Sequence, residues 1–267
     1  MTAPALVLLA RGSTRPVASE VVRAMRAHIQ SWHPSIRVHI AFADHEDPRI
    51  GCVVSRLYRE GIDEIVFAPL NLANLFSVSP RLQEVITATE AQYPDVKLRL
   101  ARPVGPESGL LNLVDARLRE ALSAANATEL DALVLATEHS LDSRSRALVT
   151  RRARQWSAHH KLPAIAASDS VGAVVDQLRS QGRRHVAVGS LFLTPHEAFE
   201  QCRAQACAAG ATAVAAPIGF APAVCEMVFG RYTVAAMELI DFTPETTSDD
   251  ADEPAAFAER HLHVVSA

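Results

Sequence analysis

The sequence predicts an α/β protein built from two tandem four-stranded parallel β/α repeats with a cleft between them. Apolar runs of strand length alternate with amphipathic helical segments along the chain. The strand runs are continuously apolar rather than alternating, which implies burial on both faces and hence a parallel sheet covered by helices on each side. The order then begins again at mid-chain, where Ala132-Leu133-Val134-Leu135 repeats Ala5-Leu6-Val7-Leu8 letter for letter.

In the first repeat, "ALVLLA" (5–10) precedes a helix near 17–32, and "IRVHIAFA" (36–43) precedes one near 48–60. "EIVFAPLNLA" (64–73) leads into a helix near 78–92, and "VKLRLARPVG" (96–105) into one near 107–125. The second repeat runs in the same way: "ALVLATEHS" (132–140) before 143–159, and "LPAIAASDS" (162–170) before 171–181. "HVAVGSLFLT" (185–194) then leads into 196–209, and "ATAVAAPIGF" (211–220) into a helix near 222–240. The polar "SAANATE" near 123–130 divides the chain into repeats 1–126 and 127–241, and the acidic 242–267 reads as a disordered tail. His261 and His263 in that tail could bind metal, although a solvated chain end accounts for them as well.

Composition narrows the function. A net charge of −4 with no basic stretch argues against nucleic acid as the main partner. Nothing approaches the roughly 20 apolar residues of a membrane helix, and the start of the chain lacks signal-peptide character. Cys52, Cys202, Cys207 and Cys225 form no CxxC pair, which fits reduced thiols in a cytoplasmic protein. Dinucleotide, phosphate-loop, HExxH and GxSxG motifs are all missing, so no nucleotide cofactor is expected. Lys97 and Lys161 are the only lysines; an arginine-rich set follows from GC-rich coding or from a need to pair carboxylates.

In a fold of this kind ligands sit beyond the carboxyl ends of the strands, here the loops 10–16, 71–80, 136–144, 194–198 and 218–223. Aligning the repeats on their shared tetrapeptide sets Glu138 opposite Arg11, His139 opposite Gly12 and Ser140 opposite Ser13. Thr194-Pro195-His196-Glu197 falls in the equivalent loop after the third strand, so Glu138, His139, His196 and Glu197 are expected at two strand ends of one repeat. A helix start explains the same residues, with Thr194 as N-cap and Pro195 at the first position. Asp44-His45-Glu46-Asp47 is rich in ligand atoms, but a polar cap for the following helix accounts for it equally. His159-His160 reads as a pair of cations at a helix C-terminus.

The paired repeats, the Gly12-Ser13 loop, "PLNL" after the third strand and "PIGFAPAVCEMVFGRY" near the end resemble one family over roughly residues 5–236. They look like the long, two-repeat sirohydrochlorin chelatases, relatives of anaerobic cobaltochelatase and ferrochelatase. The resemblance implies insertion of a divalent metal, iron or cobalt, as substrate into a carboxylate-rich tetrapyrrole, in siroheme or cobalamin biosynthesis. That chemistry calls for a nitrogen ligand to deliver the metal, a base for the pyrrole N–H and arginines for the carboxylate rim. The family's pattern has a His-Gly-Ser loop after the first strand and a Gly-x-His step after the third. Here Arg11 stands at the first histidine, Leu75 at the glycine and Ser77 at the second histidine.

The expectation is therefore an altered site. Arg11, Ser13, Asn71, Ser77 and Arg144 would bind substrate, and Arg15, Arg81 and Arg146 could lie nearby. Glu138, His139, His196 and Glu197 would be catalytic, with His139, His196 and Glu197 holding the metal. Related chelatases also use histidine and glutamate in their second half. Two alternatives stay open: a non-catalytic tetrapyrrole- or metal-binding homologue that has lost the family histidines, and a structural or regulatory partner of a true chelatase. Both a monomer and a homodimer agree with the sequence.

Overall fold

The computed structural model describes residues 3–44, 46–74, 80–138 and 142–241. The first sheet is formed by β1 (Ala5–Ala10), β2 (Val38–Phe42), β3 (Glu64–Pro69) and β4 (Lys97–Leu100). The second is formed by β5 (Ala132–Thr137), β6 (Ala164–Ala167), β7 (Val186–Leu191) and β8 (Ala213–Val214). Both are wholly parallel and share one order, β2-β1-β3-β4 and β6-β5-β7-β8, so the repeat seen in the sequence is a repeat of topology. The first strand of each repeat is central, and its side chains are almost completely buried.

The helices are α1 (Pro16–Trp32), α2 (Ile50–Arg59), α3 (Pro80–Gln92), α4 (Leu110–Ala124), α5 (Ser143–His160), α6 (Val171–Ser180), α7 (Glu197–Ala208) and α8 (Pro222–Asp241). Alternate residues of each central strand enter different cores. Val7, Ile65 and Phe67 pack outward with Val53, Leu57 and Ile86 of α2 and α3. Val134, Val186 and Val188 do the same with Val175 and Phe199 of α6 and α7. Leu6, Leu8, Leu133 and Leu135 face the opposite way, into one continuous inner core with Met25, Val114, Trp156 and Val228 from α1, α4, α5 and α8.

That inner layer exchanges helices between the repeats. α4 follows the first sheet in sequence but packs on β7 and β8 of the second. α8 follows the second sheet but packs on β3, β4 and α1 of the first. Each sheet is thus covered on its inner face by the last helix of the other repeat.

Local chemistry sets the helix starts. Pro16 opens α1 at a position where its missing N–H costs no hydrogen bond. Asp142 and Ser170 cap α5 and α6 by accepting from the N–H groups of Ser145 and Ala173. Two expectations are corrected. α7 is capped by His196 rather than by Thr194, and its first helical residue is Glu197. The eighth strand is only Ala213–Val214, because Pro217 has no N–H to donate and Gly219 (φ +72°) turns the chain towards α8.

Candidate functional site

The loops at the carboxyl ends of β1, β2 and β3 meet the ends of β5 and β7 around a cavity of about 570 Å³. Arg11, Ser13, Asp44, Glu46, Asn71 and Asn74 line it from the first repeat, and Glu138, Thr194 and His196 from the second. Leu9, Val22, Phe42, Leu70 and Leu193 supply apolar wall. A concave, partly apolar site with a few convergent polar groups has the form of a small-molecule cleft.

The β1–α1 turn has little freedom. Gly12 adopts φ +86°, and a Cβ there would lie 1.9 Å from the Asp44 carbonyl oxygen. The Asp44 N–H donates to the Arg11 carbonyl at 2.8 Å, tying the turn to the β2–α2 loop. Arg11 is left exposed at the rim, and its guanidinium has no hydrogen-bond or ion-pair partner among the described residues. Ser13 is buried and serves twice: its Oγ accepts from the Arg15 N–H at 3.1 Å and donates to Glu197 at 3.0 Å.

On the facing wall, His196 sits 2.7 Å from Glu138 Oε1 through Nε2. Its Nδ1 accepts from the Phe199 N–H at 3.3 Å as the cap of α7, so the ring proton of the neutral form is on Nε2 and is donated to Glu138. Burial pulls the His196 pKa down, but the hydrogen bond and negative charge of Glu138 outweigh burial and the repulsion from Arg11, and the net shift is upward.

Glu197 is not beside His196 in function. Its carboxylate leaves the cleft and receives Ser13 Oγ, the Thr14 N–H at 2.9 Å and Thr14 Oγ1 at 2.6 Å, clasping the first loop of one repeat to α7 of the other. The Thr14 hydroxyl, helped by the α7 N-terminus and the other donors, lowers its pKa to about 2. Arg15 reinforces the clasp by pairing with Glu200 at 3.3 Å.

Of the remaining expected substrate residues, Asn71 lines the cavity, although its Oδ1 accepts from the N–H groups of Ala73 and Asn74 and shapes the loop. Arg144 is exposed on the first turn of α5 and is not among the described residues that line the cavity. Arg146 borders a separate pocket beside β6. His139 and Ser77 lie outside the described residues, as do His45, the side chain of Arg81 and residues 242–267 with His261 and His263.

Glu46 was underrated by pattern. Its Oε1 accepts from Arg23 at 3.2 Å, whereas Oε2 is buried with no hydrogen-bond partner among the described residues. The capping explanation for the acidic run fails, because the N-cap of α2 is Arg49 and has no side-chain cap bond. A carboxylate oxygen buried beside the cavity without a donor is costly unless a cation or a proton meets it. The acids after β2 were visible in sequence; that the helix did not use them was not.

Residues 5–121 match the CbiX family model. Sirohydrochlorin cobaltochelatases of Methanosarcina barkeri and Methanosarcina acetivorans are each 23% identical over 124 residues, 44% of this chain and 95% of theirs. The sirohydrochlorin chelatase SirB of Bacillus subtilis subspecies spizizenii, solved in complex with cobalt, superposes with a TM-score of 0.73 at 17% identity, covering 90% of this chain and 98% of that one. CbiX of denitrifying bacteria, the terminal enzyme of siroheme biosynthesis there, gives a TM-score of 0.60 at 19% identity over 86% of this chain and 99% of its own. The first repeat thus matches the CbiX family model, and the chain as a whole shares the fold of the SirB and CbiX chelatases.

Proposed function

We propose that this protein inserts a divalent metal, cobalt or iron, into sirohydrochlorin or a similar carboxylate-bearing tetrapyrrole, from a site whose working groups have moved. The observation that carries this reading is the cavity itself, where Arg11 at the rim faces a paired acid and base. Arg11 offers a guanidinium fork with no partner among the described residues to a substrate carboxylate. The Glu138–His196 pair accepts a pyrrole proton, with Glu138 as the more accessible partner and His196 sharing the charge. Glu46, whose Oε2 meets no donor among the described residues, steadies the incoming metal, and His139, two positions beyond β5 in sequence, supplies a nitrogen ligand. Thermodynamically the arrangement needs no resident cofactor, since the metal is a substrate. Cytoplasmic chemistry and a monomer or homodimer suit this reading.

One observation favours a second reading, a tetrapyrrole binder without insertion activity. Both nitrogens of His196 are engaged, and both oxygens of Glu197 belong to the clasp, so neither is poised as a metal ligand. Mixing the protein with sirohydrochlorin and then with Co²⁺ or Fe²⁺ separates the two in the absorbance spectrum. The enzyme accelerates the metallated spectrum well above the uncatalysed rate, and Glu138→Gln or Glu46→Gln lowers that rate by about 10²-fold or more, as expected for loss of a general base or a metal-steadying charge. Binding with no acceleration establishes the second reading. No spectral change on mixing defeats both.

A further inference from the structure

Outside the cleft, one group of side chains among the described residues has the composition and spacing of a metal site. Asp115 of α4 and His159 and His160 at the end of α5 bring one carboxylate oxygen and two imidazole nitrogens within 4.8 Å of one another. The Asp115 side chain is only 7% exposed, while His160 is half-buried and His159 is open to solvent. The indole N–H of Trp156 donates to Asp115 Oδ1 at 2.6 Å, and His160 Nε2 lies 2.8 Å from the same oxygen.

A buried carboxylate met by one indole and one imidazole keeps much of its negative charge uncompensated. Trp156 behaves as an outer-shell donor does at metal sites: it fixes the carboxylate and leaves its other lone pairs for a cation. The rings of His159 and His160 stand 4.8 Å apart and nearly perpendicular, so their nitrogens approach one point from different directions. The C-terminus of α5, closed at Lys161, adds the negative end of its dipole. Two imidazoles, one carboxylate and a solvent-facing opening form a three-ligand set with room for water, which suits a borderline divalent cation.

We propose that Asp115, His159 and His160 bind one Zn²⁺-like divalent ion at the surface. The ion clips the last helix of the first repeat to the first helix of the second. This site is independent of the cleft and of the chemistry assigned there. On binding, the ion replaces the hydrogen bond between His160 Nε2 and Asp115 and bridges the two groups; the imidazole stays neutral with its single proton on Nδ1.

Calorimetric titration of the metal-stripped, full-length protein with Zn²⁺ near neutral pH tests it, with Co²⁺ as a spectroscopic probe of imidazole ligation. The expected result is a binding event that Glu46→Gln and Glu138→Gln leave intact and that His159→Ala weakens at least tenfold. A hundredfold excess of Zn²⁺ over Kd raises Tm by about 5–10 °C in wild type and not in His159→Ala. Because His159 is exposed, that variant keeps the fold; Asp115→Asn, which retains shape and the Trp156 bond, serves as the second. Zn²⁺ affinity unchanged in both variants, or no binding by wild type, overturns the proposal.

Discussion

Glu197 shows how much one side chain can be reassigned by its neighbours. A glutamate one residue after a histidine reads as a metal ligand, yet its oxygens are taken by Ser13 and Thr14 of the other repeat. Its folded pKa, about 2, lies below the usual 4.5, so its contribution to stability is full above 4.5 and is lost as pH falls through about 2. Glu197→Gln is therefore expected to be less stable than wild type in urea unfolding at neutral pH, with the gap closing as pH falls from 4.5 towards 2. A gap that stays constant over that window would show that the charge is not what the clasp uses. Because the carboxylate is exposed, the effect is modest. Gly12 is the opposite case, a residue fixed by backbone: its φ of +86° and the Asp44 carbonyl leave no place for a side chain.

Among the elements, the inner helices carry the strongest constraint. A Cβ on Gly189 of β7 would come within 2.5 Å of the Trp156 ring and 2.7 Å of Val114, so α5 and α4 both rest directly on the bare strand. Gly189→Ala is expected to lower stability by about 1–3 kcal/mol through overpacking, measured as a fall in the urea midpoint. A neutral result would mean that the two helices can slide apart. α7 adds a second element-level point. Its cap is an imidazole, so the residue that starts the helix also faces the cleft, and the position of His196 is set by the helix that it begins.

At the scale of the whole molecule, the exchange of α4 and α8 makes the repeats interdependent. The inner core contains Leu6 and Leu8 from the first sheet together with Leu133 and Leu135 from the second. Residues 1–126 expressed alone lose the α8 cover of β3 and β4 and expose the apolar face of α4, which includes Leu110, Leu111, Val114 and Leu118. That fragment is expected to self-associate or aggregate rather than give a stable monomer, as sedimentation would show. Residues 127–241 added in equal amount should recover a soluble one-to-one complex. A well-folded monomeric fragment would mean that the exchanged helices contribute little.

The sequence by itself determined the two repeats, the order of their strands and helices, and the loops that would surround a ligand. Those features follow from apolar periodicity and from turn residues, which act over a few neighbours. It also marked Arg11 as a departure and brought Glu138 and His196 to one place, because strand ends in a parallel sheet are adjacent. Only the tertiary structure decided that Glu197 serves the clasp, that Glu46 keeps a buried oxygen unmet among the described residues, and that Asp115 meets the histidines ending α5. Each of those outcomes depends on partners more than forty residues away or on the absence of one, and local pattern carries no record of either.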